Sequence, residues 1–132
     1  MAHIEYRSGT VSVPAGCAPT DALGDLVYVA GPAVAGVMQV SRIDIANAAK
    51  MPAVGIIAAK PTPSTCRVVL SGVARLSGFI PGARYFAGAD GKPTPTRPPA
   101  GPGGRFIQSV GVALDETRLA LAPSTFLTKV IP

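Results

Sequence analysis

The sequence has few of the side chains on which enzymes depend. It contains no tryptophan, one histidine (His3) and two cysteines, Cys17 and Cys66, in 132 residues. Any Ser-His-Asp or Cys-His arrangement would need His3, close to the start of the chain, so nucleophilic catalysis of this type is not expected. The cysteines lie far apart and lack Cys-x-x-Cys spacing, so with a single histidine they predict no metal site.

The two cysteines leave their redox state open. They either form a structural disulfide or, as is usual in a protein with no sign of export, remain as two small buried apolar side chains.

Paired carboxylates for general acid–base chemistry are equally scarce. The candidates are Asp21 with Asp25 and Asp115 with Glu116. The first pair lies in a turn-like connection, and adjacent residues on a hairpin turn point apart into solvent, so neither pair predicts an acid and a base. We therefore expect no enzyme and predict no catalytic, cofactor-binding or metal-binding residues.

Surface charge is also in short supply. Charged residues make up 14% of the chain and apolar residues 48%, whereas soluble domains average about 25% charged. Because charge is depleted where protein surfaces are covered, this composition predicts oligomerisation or assembly.

The uncharged stretch between Asp25 and Arg42 does not predict a membrane span. It is shorter than the roughly 20 residues that a spanning helix needs, and Gly31, Pro32 and Gly36 interrupt it. The first residues lack the apolar core of a signal peptide, so we expect synthesis and folding in the cytoplasm.

The net charge of +5 arises mainly between Lys50 and Arg105, where eight basic residues face one acidic residue, Asp90. Such a balance favours an acidic partner. The basic residues are spread singly, however, with few aromatics nearby for base stacking, so we expect no nucleic acid among the partners.

Long undisturbed helical windows are missing as well, since 15 glycines and 14 prolines recur at short intervals. Short runs rich in Val, Ile, Leu and Tyr remain and predict strands at residues 26–30, 37–40, 54–58, 67–70, 84–87, 106–114 and 118–122. This spacing predicts an all-β fold, a small barrel or sandwich. Residues 22–123 are expected to form the core, with a Pro/Gly-rich loop at 88–104 that does not pair regularly.

An internal echo divides this core into two similar units. Leu26-Val27-Tyr28-Val29-Ala30-Gly31 matches Ala83-Arg84-Tyr85-Phe86-Ala87-Gly88, and Ala53-Val54-Gly55-Ile56-Ile57-Ala58 matches Ser109-Val110-Gly111-Val112-Ala113-Leu114. The tyrosines are 57 positions apart and the Val-Gly pairs 56. We interpret the echo as two three-stranded units that together close one barrel or sandwich, with both strand glycines at points of curvature or close backbone approach.

Both ends of the chain are predicted to be arms. Residues 1–21 form an N-terminal arm or edge strand, and residues 124–132 form a tail after Pro123. Apolar residues on such segments dock either on the chain's own core or on a neighbour. The candidate assembly-interface residues are Ile4, Tyr6, Val11, Val13, Phe126, Leu127, Val130 and Ile131.

The order of strand and turn patterns between residues 22 and 123 resembles the cement or decoration proteins of tailed-phage heads and related β modules of phage head and tail fibres. The resemblance is carried by Gly24-Asp25-Leu26-Val27-Tyr28-Val29, Pro52-Ala53-Val54-Gly55-Ile56-Ile57-Ala58-Ala59-Lys60-Pro61, Leu70-Ser71-Gly72-Val73, Pro81-Gly82-Ala83-Arg84-Tyr85-Phe86 and Val110-Gly111-Val112-Ala113.

This resemblance implies a barrel-like or tulip-like domain, a homotrimer, that binds the outer surface of the capsid and clamps neighbouring major capsid proteins. It brings no catalytic residues and no cofactor. The alternative is a fibre, spike or adhesin-like module that binds a receptor or glycan.

Overall fold

The computed structural model describes residues 10–101, 103–124 and 126–130. The predicted all-β class is confirmed, and each of the seven predicted runs contains a strand. The strands are β1 (Val11–Gly16), β2 (Leu26–Val34), β3 (Val37–Arg42), β4 (Gly55–Thr62), β5 (Thr65–Arg75), β6 (Arg84–Ala87), β7 (Pro93–Thr94), β8 (Arg105–Ile107), β9 (Ser109–Ala113), β10 (Arg118–Leu121) and β11 (Thr128–Val130). One 3₁₀ turn, Ala48–Lys50, follows β3.

Five strands close a small barrel in the order β1-β3-β2-β4-β5. Closure occurs because β1 pairs in parallel with β3 on one side and antiparallel with β5 on the other. The first part of β5 belongs to the barrel, whereas its last residues, Gly72–Arg75, pair with β10. From there β10, β9, β6 and β7 continue as a second sheet.

Strand alternation gives the molecule two apolar cores. Val27, Ile57 and Val68 point into the barrel, while their neighbours Leu26, Ile56 and Val69 point outward into a larger cluster shared with the second sheet. Successive side chains of a strand face opposite sides, so the strands β2, β4 and β5 are buried on both faces where they pass between the two cores.

The two echoing units are present as β2-β4-β5 and β6-β9-β10, each an antiparallel three-stranded array, and they join through the β5–β10 pair. Gly55 pairs with Val27 in the first unit, and Gly111 pairs with Tyr85 in the second. The echo predicted that the two units together close one barrel or sandwich. The barrel is closed by the first unit with β1 and β3, because β1 pairs with β5. The two units pack together around the larger core.

Three segments predicted as arms or as an irregular loop contain strand pairing. Residues 11–16, within the predicted N-terminal arm or edge strand, form β1, which pairs with β5 along its length and with β3 at Ala15 and Gly16. In the loop at 88–104, Pro93 and Thr94 pair with β6, and the Gly91 carbonyl accepts a hydrogen bond from the Leu26 amide. In the expected C-terminal tail, β11 pairs antiparallel with β8.

Candidate assembly surface

An exposed apolar feature of the described chain is the end of the β2–β3 hairpin, made of the outer part of β2, the turn and the first residue of β3. Residues 29–37, called the apolar hairpin from here on, contain no charged residue. Val29 is 50% exposed, Val34 61% and Val37 37%. A hairpin lying on a core alternates buried and exposed positions, but here every residue except the half-buried Gly31 is exposed.

Local backbone geometry, rather than burial, forms the tip of the apolar hairpin. Val34 pairs with Val37 across a two-residue turn, in which Ala35 has φ 51° and Gly36 has φ 78°. Two positive φ values are typical of the turns whose twist matches that of paired strands. Glycine adopts positive φ without strain. Ala35 is unusual at such a position, because Gly, Asn and Asp are the residues that favour the left-handed region.

The apolar hairpin also presents an open backbone edge. In the described part of the chain, β2 pairs with β4 only at Leu26 and Val27, so the side of β2 facing away from β3 has no strand partner from Tyr28 onward. Proteins protect such edges with charged side chains or proline. Pro32 removes one donor here, but no charge protects the edge. An apolar strand with unpaired backbone groups is suited to pairing with another chain.

The predicted interface residues are distributed between surface and interior. Val11 is 52% exposed and Phe126 83% exposed. Val13 packs against the barrel core and Leu127 against the larger core, so neither is a free docking group. Val130 is half-buried in β11. Ile4, Tyr6 and Ile131 lie outside the described residues.

Two carboxylates that the sequence pattern placed in a turn-like connection are buried. Asp25 is fully buried and Asp21 is 4% exposed. The Asp25 carboxylate accepts from Lys92 Nζ at 2.5 Å and from the Ala22 amide at 2.9 Å, and Arg42 Nη1 lies 3.9 Å away. Burial of a carboxylate without such partners would cost several kcal/mol. This ion pair therefore ties the loop at 88–104 to the start of β2.

Asp21 has a similar anchoring role between β1 and β3. Its carboxylate accepts from the amides of Ala18 at 2.8 Å and Arg42 at 3.2 Å and from the Ser41 hydroxyl at 3.4 Å. Lys60 Nζ donates to the carbonyls of Ala18, Pro19 and Asp21, which uses all three of its ammonium protons. Both carboxylates are thus committed to hydrogen bonds that hold the connection in place.

Two kinds of feature are missing from the part of the chain that the structure describes. No group of three or more His, Cys, Asp or Glu side chains is arranged to hold a metal ion. Within the same residues, none of the helical segments has the length and apolar character required to cross a bilayer.

Comparisons with models of protein families, with curated proteins and with solved structures found no match to this chain.

Sequence patterns predict strands in the uncharged stretch that contains the apolar hairpin and argue against a membrane span there, but they do not predict an exposed surface. The signal that could have revealed it is the missing polar face. Val29-Ala30-Gly31-Pro32-Ala33-Val34-Ala35-Gly36-Val37 has no polar side chain at any position, whereas a solvated hairpin carries polar residues on at least one face.

Proposed function

We propose that the chain is a structural virion protein that binds the outer surface of a tailed-phage capsid and bridges neighbouring major capsid subunits, as cement or decoration proteins do. In this role it is made in the host cytoplasm, acts as a homotrimer, performs no catalysis, uses no cofactor and contacts neither nucleic acid nor membrane. The observation that carries the proposal is the apolar hairpin, which leaves the barrel with apolar groups on both faces. The partner, the major capsid protein, is inferred from the resemblance of residues 22–123 to cement proteins.

An inter-subunit groove suits a hairpin of this kind. A flat surface would cover one face of the hairpin, whereas a groove between two subunits covers both. Burial of a valine side chain contributes about 1.5–3 kcal/mol, and Val29, Val34 and Val37 are all available. The open edge of β2 adds backbone hydrogen bonds where it meets a strand of the capsid subunit.

Repetition over the shell strengthens this modest contact. A homotrimer presents three hairpins, and the attachment of one places the others at high effective concentration near equivalent grooves. A protein whose single contact is weak then stays bound and holds the subunits together.

The test compares two valine-to-lysine variants on undecorated heads of the phage that encodes the chain. Val34→Lys places a charge on the apolar hairpin. Val112→Lys is the matched control, because Val112 is 40% exposed on β9 in the second sheet. We expect the wild type and Val112→Lys to bind equally in cosedimentation, and Val34→Lys to bind at least about tenfold more weakly. Electron microscopy of the bound protein reports whether it is trimeric.

Equal binding of all three proteins would remove the apolar hairpin as the contact. A wild type that does not bind the heads would overturn the cement function. A clear hit for the wild type on a glycan array would instead favour the fibre, spike or adhesin-like module. Thermal unfolding of both variants confirms that they are folded before binding is compared.

A further inference from the structure

The two cysteines, which are distant in sequence, meet at the seam where the barrel closes. Cys66 lies on β5 opposite Ala15 of β1. Cys17 directly follows β1, and its amide donates to the Ser64 carbonyl at 3.0 Å, which extends the same ladder by one step. Because alternate residues of a strand share a face, Cys17 and Cys66 are on the same side of this pair, toward the barrel interior.

Both cysteine side chains belong to the apolar interior of the barrel but differ in exposure. Cys66 is 3% exposed in the barrel core, and the half-buried Cys17 packs against that core. Burial first, and then a side-chain hydrogen bond and charge interaction with Cys17, raise the pKa of the Cys66 thiol to about 12. Cys66 therefore stays protonated at neutral pH. Cys17, whose sulfur lies 4.0 Å from the Pro63 carbonyl near the surface, is the more accessible group.

We propose that Cys17 and Cys66 form a disulfide across the β1–β5 seam when the protein meets a small-molecule disulfide such as oxidised glutathione. The proposal is carried by the position of both side chains on one face of the β1–β5 pair, in the same apolar cluster. The thiol chemistry is independent of what the apolar hairpin binds.

The reaction proceeds in two exchange steps. The Cys17 thiolate attacks one sulfur of oxidised glutathione, the glutathione S–S bond breaks, and one glutathione thiolate leaves and takes up a proton. Cys66 then loses its proton and attacks the Cys17 sulfur, which releases the second glutathione. Two protein thiols become one disulfide, and one oxidised glutathione becomes two reduced molecules.

The bond would fasten one of the two strand pairs through which β1 closes the barrel. It links positions 17 and 66, so it restricts the unfolded chain over a long loop, and cross-links of this length stabilise the folded state when their geometry is unstrained. Oxidation is therefore expected to raise the melting temperature of the protein.

The experiment incubates the native full chain in glutathione buffers from fully reduced to fully oxidised, then denatures it and labels free thiols with a polyethylene glycol maleimide. We expect two labels on the reduced protein. The oxidised protein should take none, with a mass lower by two hydrogens, a single-chain band on a non-reducing gel and a higher melting temperature. Cys17→Ser changes the half-buried thiol, while Cys66→Ala tests the buried one. Each variant should lose the rise in melting temperature.

Several results would overturn the proposal. These are two reactive thiols in the wild type at the oxidised end of the series, a lasting glutathione adduct on one cysteine, or chain-to-chain dimers in place of the internal bond. A rise in melting temperature that persists in Cys17→Ser would also count against it. If Cys66→Ala fails to fold, Cys17→Ser alone decides the question, since its side chain is not part of the buried set.

Discussion

A single buried glutamine joins segments whose backbones do not pair with one another. Gln108 is 1% exposed and separates β8 from β9. Its Oε1 accepts from the Ala53 amide, and its Nε2 donates to the carbonyls of Ala53 and Ser124, each at 2.9 Å. The side chain thus behaves like an extra length of strand between the segment before β4 and the segment after β10.

Replacement of this glutamine by leucine should destabilise the fold strongly. Gln108→Leu keeps a similar volume but leaves the buried Ala53 amide and carbonyl without their partner, and each unsatisfied group costs about 1–3 kcal/mol. We expect the free energy of unfolding, measured with urea, to fall by about 3 kcal/mol.

The other glutamine of the chain supplies the control. Gln39 Nε2 donates to the Val37 carbonyl at 3.0 Å in an exposed position, where water replaces a lost partner. Gln39→Leu should change the free energy of unfolding by less than about 1 kcal/mol. If both variants lose the same free energy of unfolding, the hydrogen bonds of Gln108 to Ala53 do not stabilise the fold more than the exposed bond of Gln39 does.

At the scale of elements, the last strand belongs to the fold. β11 pairs with β8 through Thr128, Lys129 and Val130, and Leu127 packs against the larger core. Its neighbour Phe126 points outward and is 83% exposed. The tail therefore presents one apolar residue to the core and one to the surroundings.

These two adjacent residues form a matched pair for mutation. Leu127→Ala removes apolar area that packs on the core and should lower the free energy of unfolding by about 1–2 kcal/mol. Phe126→Ala removes a group that makes no such contact and should leave it within about 0.5 kcal/mol of the wild type. Differential scanning calorimetry measures both. If Leu127→Ala has the same melting temperature as the wild type, residues 126–130 are a free arm rather than part of the fold.

At the scale of the whole molecule, each of the two units has a glycine at a point where neighbouring strands pack closely. A Cβ on Gly55 would lie 2.5 Å from the Val69 carbonyl oxygen, and a Cβ on Gly111 would collide with the Ala120 carbonyl oxygen. Both glycines sit on the middle strand of their unit, as the echo predicted. Only glycine permits the neighbouring backbone to approach so closely.

Alanine at the second of these positions should force the β9–β10 pair apart. We expect Gly111→Ala to destabilise the protein by about 1–3 kcal/mol, the usual cost of overpacking. Gly31→Ala is the control, because a Cβ at Gly31 meets no atom within 4 Å and its change should stay within about 0.5 kcal/mol. Urea unfolding distinguishes them. A tolerated Gly111→Ala would mean that the second sheet shifts freely to accept the methyl group.

The sequence alone determined the strand content, the two-unit pattern and the positions of the strand glycines. These features are local: glycine and proline spacing, β-branched runs and a repeat are visible without knowledge of any contact. The candidate site was harder to predict from the sequence. Of the predicted interface residues, Val13 and Leu127 pack inward, while the apolar hairpin was not identified, because exposure of a strand depends on whether a neighbour covers it.

Only the tertiary structure decided how the barrel closes, which acids are buried and where the thiols meet. Closure depends on β1 reaching β5, and the burial of Asp25 depends on Lys92, 67 positions later. Cys17 and Cys66 meet for the same reason that the barrel closes. Each outcome is a pairing between distant segments, and local residue patterns carry no information about which of several compatible partners a strand or charge will find.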